Sequence, residues 1–157
     1  MNSVSFDHPD PSIYTVLTAK SDEDGTALVD FVIFPPRWNV SEHTFRPPYY
    51  HKNCMTEFMG MIYGIYDAKD ASKNGFLPGG ASLHSCMTPH GPDYITYANV
   101  MKQSKENEDV PIKIDGGLAF MFETNYMLKI TKYAYDCNHR DANYVNCWNG
   151  FQHSLQK

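Results

Sequence analysis

Apolar positions in this chain come in short runs broken by turn-forming residues, and the period of each run predicts its element. Tyr14-Thr15-Val16-Leu17-Thr18 is β-branched and aromatic, as strands are, and the polar Ser21-Asp22-Glu23-Asp24-Gly25 after it reads as a turn. Leu28 to Phe34 is a second strand, so nearly continuous in apolar character that burial on both faces is expected, and Pro35-Pro36 stops it. Glu57 to Gly64 is a third. Leu118–Glu123 and Met127–Thr131 flank Thr124-Asn125 and are expected to pair as a hairpin. Helical spacing is clearest from Tyr94 to Lys105, where Tyr94, Tyr97, Ala98 and Met101 recur on one face and Asp93, after Pro92, is placed to cap the first turn. Lys105 to Asp109 reads as a solvated loop, and Tyr144 to Trp148 as a short helix. Short strands with proline corners predict a mainly β chain, an antiparallel sandwich or jelly roll with one or two short helices.

The length, 157 residues, suits one domain with a real core, and 42% hydrophobic with 14% aromatic residues can fill it. A net charge of −5 without a basic stripe argues against nucleic acid as a partner. No apolar run is long enough for a membrane-spanning helix, so no membrane association is expected. The first residues lack the basic and apolar regions of a secretory signal, and Cys54, Cys86, Cys137 and Cys147 lack C-x-x-C spacing. They read as free thiols in a reducing compartment, which makes the cytoplasm the expected location. Strand-like sequence begins almost at once, which suggests a piece of something longer.

The candidate chemistry lies in Arg46 to Gly60, where His51 precedes Glu57 by six residues, and in Leu83 to Gly91, which carries His84 and His90. Two histidines and a carboxylate on one face are the usual ligand set of a non-haem Fe(II) that activates O2. On a continuous strand six residues span roughly 20 Å, too far for a shared ion, and on a helix they lie on different faces. His51 and Glu57 can therefore meet only if the chain turns between them, and Lys52-Asn53 supplies turn residues. The expected picture is a strand ending at His51, a turn, and a returning strand carrying Glu57. His90 comes from a separate loop that begins at Gly75, in which Gly79 and Gly80 permit close backbone approach. Taken singly, each residue has a plainer reading: His51 as a hydrogen-bonded core histidine, and His84 and His90 as loop residues. Glu57 beside Phe58 and Met59 is harder to dismiss, because a buried carboxylate needs a charge partner or a metal. A structural domain without metal, a catalytically silent metal-binding module and a zinc hydrolase remain open on spacing alone.

Longer words narrow the choice. Phe6-Asp7-His8, Asp10 to Ile13, Thr15 to Lys20, Asp30 to Trp38, Phe45 to His51, Gly75 to Gly80, Met87 to Asp93 and Ala119 to Glu123 together resemble the homogentisate 1,2-dioxygenase family, in its C-terminal domain. The resemblance covers nearly the whole chain. It implies that residues 1–157 form a single iron-binding domain of cupin-like fold, without the family's N-terminal β-rich domain. It implies a ring-cleaving dioxygenase that converts homogentisate and O2 to maleylacetoacetate in tyrosine and phenylalanine breakdown, with homo-oligomeric (trimer or hexamer) assembly. It further implies Fe(II) ligands His51, Glu57 and His90, His8 as the acid/base group at the substrate hydroxyl, and Tyr66 and His90 as substrate contacts. His84 would be a pocket histidine lying beyond the ligands. The Lys69–Asn74 link looks longer than is usual in the family.

Overall fold

The computed structural model describes residues 13–38, 51–66, 68–69, 76–106 (backbone alone at 103–106) and 113–151. Its main element is an antiparallel sheet in the order β1-β2-β7-β4-β5, formed by β1 (Tyr14–Lys20), β2 (Ala27–Phe34), β4 (Thr56–Tyr63), β5 (Ala81–His84) and β7 (Leu118–Thr124). The two-residue strands β3 (Arg37–Trp38) and β6 (Lys113–Ile114) pair separately. Two α-helices, α1 (Tyr94–Glu106) and α2 (Lys132–Asp136), and a 3-10 helix (Tyr144–Trp148) complete the described elements. This mainly antiparallel architecture with two helices agrees with the expected cupin-like β-sandwich class.

Directly paired residues of an antiparallel ladder point to the same face, so the register sorts the side chains. One face carries the row Phe34, Ala119, Met61, then the row Val32, Met121, Met59. With Phe76 these residues form the buried core, and Phe34 and Tyr66 pack against it. Two residues further along the strands the same face turns polar: Thr18, Asp30, Glu123, Glu57 and His84 stand side by side across all five strands. The opposite face is aromatic. Phe31 lies 4.9 Å from Phe122 by ring centroids, and Phe120 lies over Gly60, where a Cβ would meet the ring at 2.3 Å.

Two expectations are corrected. Residues 127–131 form no strand, and Leu118–Glu123 does not make a hairpin with them. β7 is an interior strand, with β2 bonded to one edge and β4 to the other, so no edge is left for a returning neighbour. In β2 only Val32 is buried, the other residues being half-buried, because the aromatic face of the sheet is open around Phe122, Tyr126 and Leu128.

The Gly75–His84 segment, expected as a loop, ends in strand β5. Leu77-Pro78-Gly79-Gly80 closes a tight turn, with Gly80 N–H donating to Leu77 O at 2.8 Å and Gly79 at φ 85°. Pro then Gly at the central positions suits a type II turn. The turn continues the ladder through Gly79 N–H to Met61 O, and so delivers His84 opposite Glu57. Helix α1 begins where expected: Asp93 Oδ1 accepts from Thr96 N–H at 2.7 Å.

Candidate metal centre

His51, Glu57 and His90 converge: one ligand atom from each lies within 4.8 Å of the other two. Backbone hydrogen bonds bring them there. His51 N–H donates to His90 O and His90 N–H to His51 O, both at 2.8 Å, so an isolated antiparallel bridge fixes both imidazoles at once. Their ring centroids are 4.6 Å apart. The turn between His51 and Glu57 is tied by Asn53, whose Oδ1 accepts from Met55 N–H at 2.9 Å. The Asn53 Nδ2 donates to Glu57 Oε1 at 2.7 Å, leaving Oε2 toward the histidines. Asn53 O also accepts from Met87 N–H, which anchors the segment carrying His90 to the same turn. Met87 itself sits at φ 59°, a left-handed conformation unusual for a side chain of that size.

The charge distribution at these atoms is unusual. His90 donates its Nδ1–H to Thr88 O at 2.8 Å, which leaves the Nε2 lone pair of the neutral ring pointing inward. That buried nitrogen makes no hydrogen bond of usable geometry, yet it lies 3.0 Å from Glu57 Oε2. The oxygen stands off the direction that a ring N–H proton would take. Two acceptors so placed repel unless a proton or a metal ion draws on both lone pairs, and a metal ion does so without needing an N–H direction. The donor types fit: two imidazoles and a carboxylate suit a borderline divalent ion such as Fe(II) or Zn(II).

Ionisation follows the same geometry. Burial pushes the Glu57 carboxyl up, but the nearby His84 and His90 rings, the hydrogen bond from Asn53 and the charge of His90 outweigh it and hold the group well below the usual carboxylate range. His90 is raised, first by its contact with Glu57, against its burial. His84 is lowered, first by burial, against the pull of Glu57. Glu123, opposite Glu57 in the ladder, is raised by burial and by the neighbouring Glu57 and Asp30 charges.

Among the residues singled out in the sequence, the structure thus gathers His51, Glu57 and His90. His84 stacks on His90 at 4.3 Å and 12°, with its Nδ1 3.8 Å from Glu57 Oε2, beyond hydrogen-bonding length. Tyr66 packs edge-on against Phe34 and Phe76, half-buried at the rim of the core. His8 lies outside the described residues. The strand expected to end at His51 would lie before residue 51, outside the described residues; His51 itself is bridged to His90. Sequence reasoning passed over Lys69 and Tyr144. Lys69 is buried and donates to the Tyr144 hydroxyl, and Tyr144 Oη lies 3.1 Å from His84 Nε2. A lysine in a polar link and a tyrosine some 75 positions away carry no local signal of that contact.

Comparison with known proteins identifies a family and a set of relatives. The family described as Homogentisate 1,2-dioxygenase C-terminal matches residues 1–155. A homogentisate 1,2-dioxygenase of Oryza sativa subsp. japonica is 59% identical over 151 residues, covering 96% of this chain and 31% of that protein. The Arabidopsis thaliana protein of that name is 57% identical, with 96% of this chain and 32% of its own length covered. One from Legionella pneumophila (strain Corby) is 55% identical over 152 residues, 97% of this chain and 35% of its own. The chain spans about a third of the length of these relatives. It belongs to the homogentisate 1,2-dioxygenase C-terminal family.

Proposed function

We propose that this chain carries the metal-binding part of a non-haem Fe(II) dioxygenase that opens the ring of homogentisate with O2 to give maleylacetoacetate. One observation carries the metal reading: the buried Nε2 of His90 faces Glu57 Oε2 at 3.0 Å without a usable hydrogen bond, beside His51. The family membership carries the choice of iron and of substrate.

In this reading His51, Glu57 and His90 hold the ion, and bound Fe(II) supplies O2 activation and a Lewis-acidic site for a phenolic oxygen. The chain's own residues do the rest. The His51–His90 bridge sets the angle between the imidazoles before any ion arrives. Asn53 occupies Glu57 Oε1, so that Oε2 is presented to the ion. His51 is exposed whereas Glu57 and His90 are buried, so the cluster has a wet side, on which substrate would enter. His8 would take the proton of the substrate hydroxyl, a task suited to a group whose ordinary pKa is about 6.5. Tyr66 would touch the substrate from the core side, and His90 would border it. A homo-oligomer in the cytoplasm, serving tyrosine and phenylalanine breakdown, completes the proposal.

The test is O2 uptake by Fe(II)-reconstituted protein given homogentisate, with iron-free protein as control. Uptake that needs both iron and substrate supports the assignment. Failure to retain any divalent metal would remove it. One tightly held iron without uptake would restrict the chain to metal binding and leave the chemistry to the longer protein.

A further inference from the structure

Behind the ligands lies a second line of polar groups that ligation does not use, buried at Lys69 and His84 and half-buried at Tyr144. Lys69 follows β4 in the link toward β5, and its ammonium is buried beneath the 3-10 helix, 4.2 Å from the centre of the Tyr144 ring and 5.8 Å from that of Trp148. An ammonium donates and cannot accept, so the Tyr144 oxygen must accept from Lys69. By donating its own proton to His84 Nε2, 3.1 Å away, the same hydroxyl serves both neighbours at once. A neutral imidazole that accepts at Nε2 carries its proton on Nδ1, and His84 Nδ1 is the atom that faces Glu57 Oε2. With that direction the polarity of the whole line, from Lys69 through Tyr144 and His84 to Glu57, is set at its far end. The stack of His84 on His90 adds a geometric consequence, since a turned His84 ring would displace the ligand ring beside it.

We propose that Tyr144 and Lys69 are positioning residues of the metal centre: they lock His84 as the Nδ1–H tautomer, with that N–H presented to Glu57 and its ring plane seated against His90. The inference rests on the ligand assignment above for its effect on metal, and on the Lys69–Tyr144–His84 contacts alone for the tautomer. Groups that support a metal ligand from behind change its affinity about 10–100-fold when removed. Because the line reaches Glu57 across 3.8 Å and not through a hydrogen bond, the lower end applies, about tenfold.

The experiment is 15N NMR of the histidine ring nitrogens in the metal-free protein, with Zn(II) titration as an air-stable probe of the same ligands. In the wild-type protein His84 Nδ1 should show the shift of a protonated nitrogen and Nε2 that of a lone pair. Tyr144→Phe removes only the hydroxyl, and should mix the two tautomers and weaken Zn(II) binding about tenfold. Lys69→Met should do the same, and Lys69→Gln, which keeps an N–H donor, should recover part of both. His84 found as the Nε2–H tautomer in the wild-type protein overturns the proposal whatever the variants do. So does a Tyr144→Phe protein with unchanged tautomer, or with a changed tautomer and unchanged Zn(II) affinity. If Tyr144→Phe does not fold, the Met and Gln variants of Lys69 decide. Wild-type protein that shows the expected tautomer but binds no Zn(II) would instead sink the ligand assignment, and the two failures are thus separable.

Discussion

Asn53→Asp is the sharpest probe of the site, because it exchanges one atom and reverses the sign of one contact. Asn53 Oδ1 accepts from Met55 N–H in the turn, and an aspartate keeps that bond. The Nδ2 that donates to Glu57 Oε1 at 2.7 Å becomes a carboxylate oxygen. Two unit charges at that distance repel by about 6 kcal/mol at an effective dielectric of about 20. The pair escapes by binding a proton, which costs about 1.4 kcal/mol for each pH unit above an ordinary carboxylate pKa of about 4. At pH 7 protonation is the cheaper route, so the penalty is capped near 4 kcal/mol, less whatever the new O–H···O bond returns. The pair's folded pKa is raised above its unfolded value. The penalty is therefore absent near pH 4 and grows as pH rises. Asn53→Ala is the control. It loses a hydrogen bond to a charged group, about 1.5–3 kcal/mol, with no new titrating group. Urea unfolding of both metal-free variants between pH 5 and 8 should show the Asp variant as the more stable of the two at pH 5 and as the less stable at pH 8. A difference between them that stays flat across that range would refute the placement of Asn53 against the Glu57 carboxylate.

Glu57→Ala should abolish retention of divalent metal after dialysis, measured by elemental analysis; one ion still tightly held would mean the carboxylate is no ligand. Gly60→Ala would drive a Cβ to 2.3 Å from the Phe120 ring, and overpacking of this kind costs about 1–3 kcal/mol. Urea midpoints should show it, with part of the loss recovered in the double variant with Phe120→Leu, whereas an unchanged midpoint would contradict the close approach. Metal affinity should fall on acidification through the raised pKa of His90, since ion and proton compete for Nε2, and zinc titrations from pH 5.5 to 8 would read it. In the metal-free protein the two groups act in opposite senses. The Glu57 contribution is present above its unfolded pKa and is lost as pH falls through its depressed folded pKa. The His90 contribution is full below its unfolded pKa and is lost as pH rises through the raised folded one. A stability profile that rises monotonically to pH 8 would count against the His90–Glu57 contact.

What the sequence showed, and what it hid, follows the range of the interactions. Strand cores at 14–18, 28–34 and 57–64 and the Asp93-capped helix were legible because periodicity and capping are local properties. The need for a turn at Lys52-Asn53 was legible from the spacing of His51 and Glu57, whereas the ligand assignment of His51, Glu57 and His90 rested on the resemblance carried by the longer words. The hairpin at 118–131 failed for a non-local reason: β7 spends both its edges on β2 and β4, strands that lie far away in the chain. The strand ending at His84 was hidden in a glycine-rich stretch, and its four residues gain a ladder only from β4. Lys69 and Tyr144 could not be paired from spacing, since what joins them is the packing of the 3-10 helix.

The polar row on the core face explains why the sheet stops burying hydrophobic groups where it does. Val32, Met121 and Met59 fill one rung, and the next polar rung on that face places Asp30, Glu123 and Glu57 in consecutive register. Like charges directly opposite in a ladder destabilise it, and here three stand side by side. Two partial remedies are built in: Thr18 donates to Asp30 Oδ1 at 2.6 Å, and Asn53 donates to Glu57 Oε1. Glu123 lies between them, and its pKa is raised first by burial and then by the Glu57 and Asp30 charges that those remedies leave. A cation held by His51, Glu57 and His90, as proposed, would act at one end of this row and relieve Glu123 through Glu57. On the proposed ligand assignment this row has a reason to be acidic: a bound ion would remove part of the repulsion and leave the metal-free sheet the less stable of the two states.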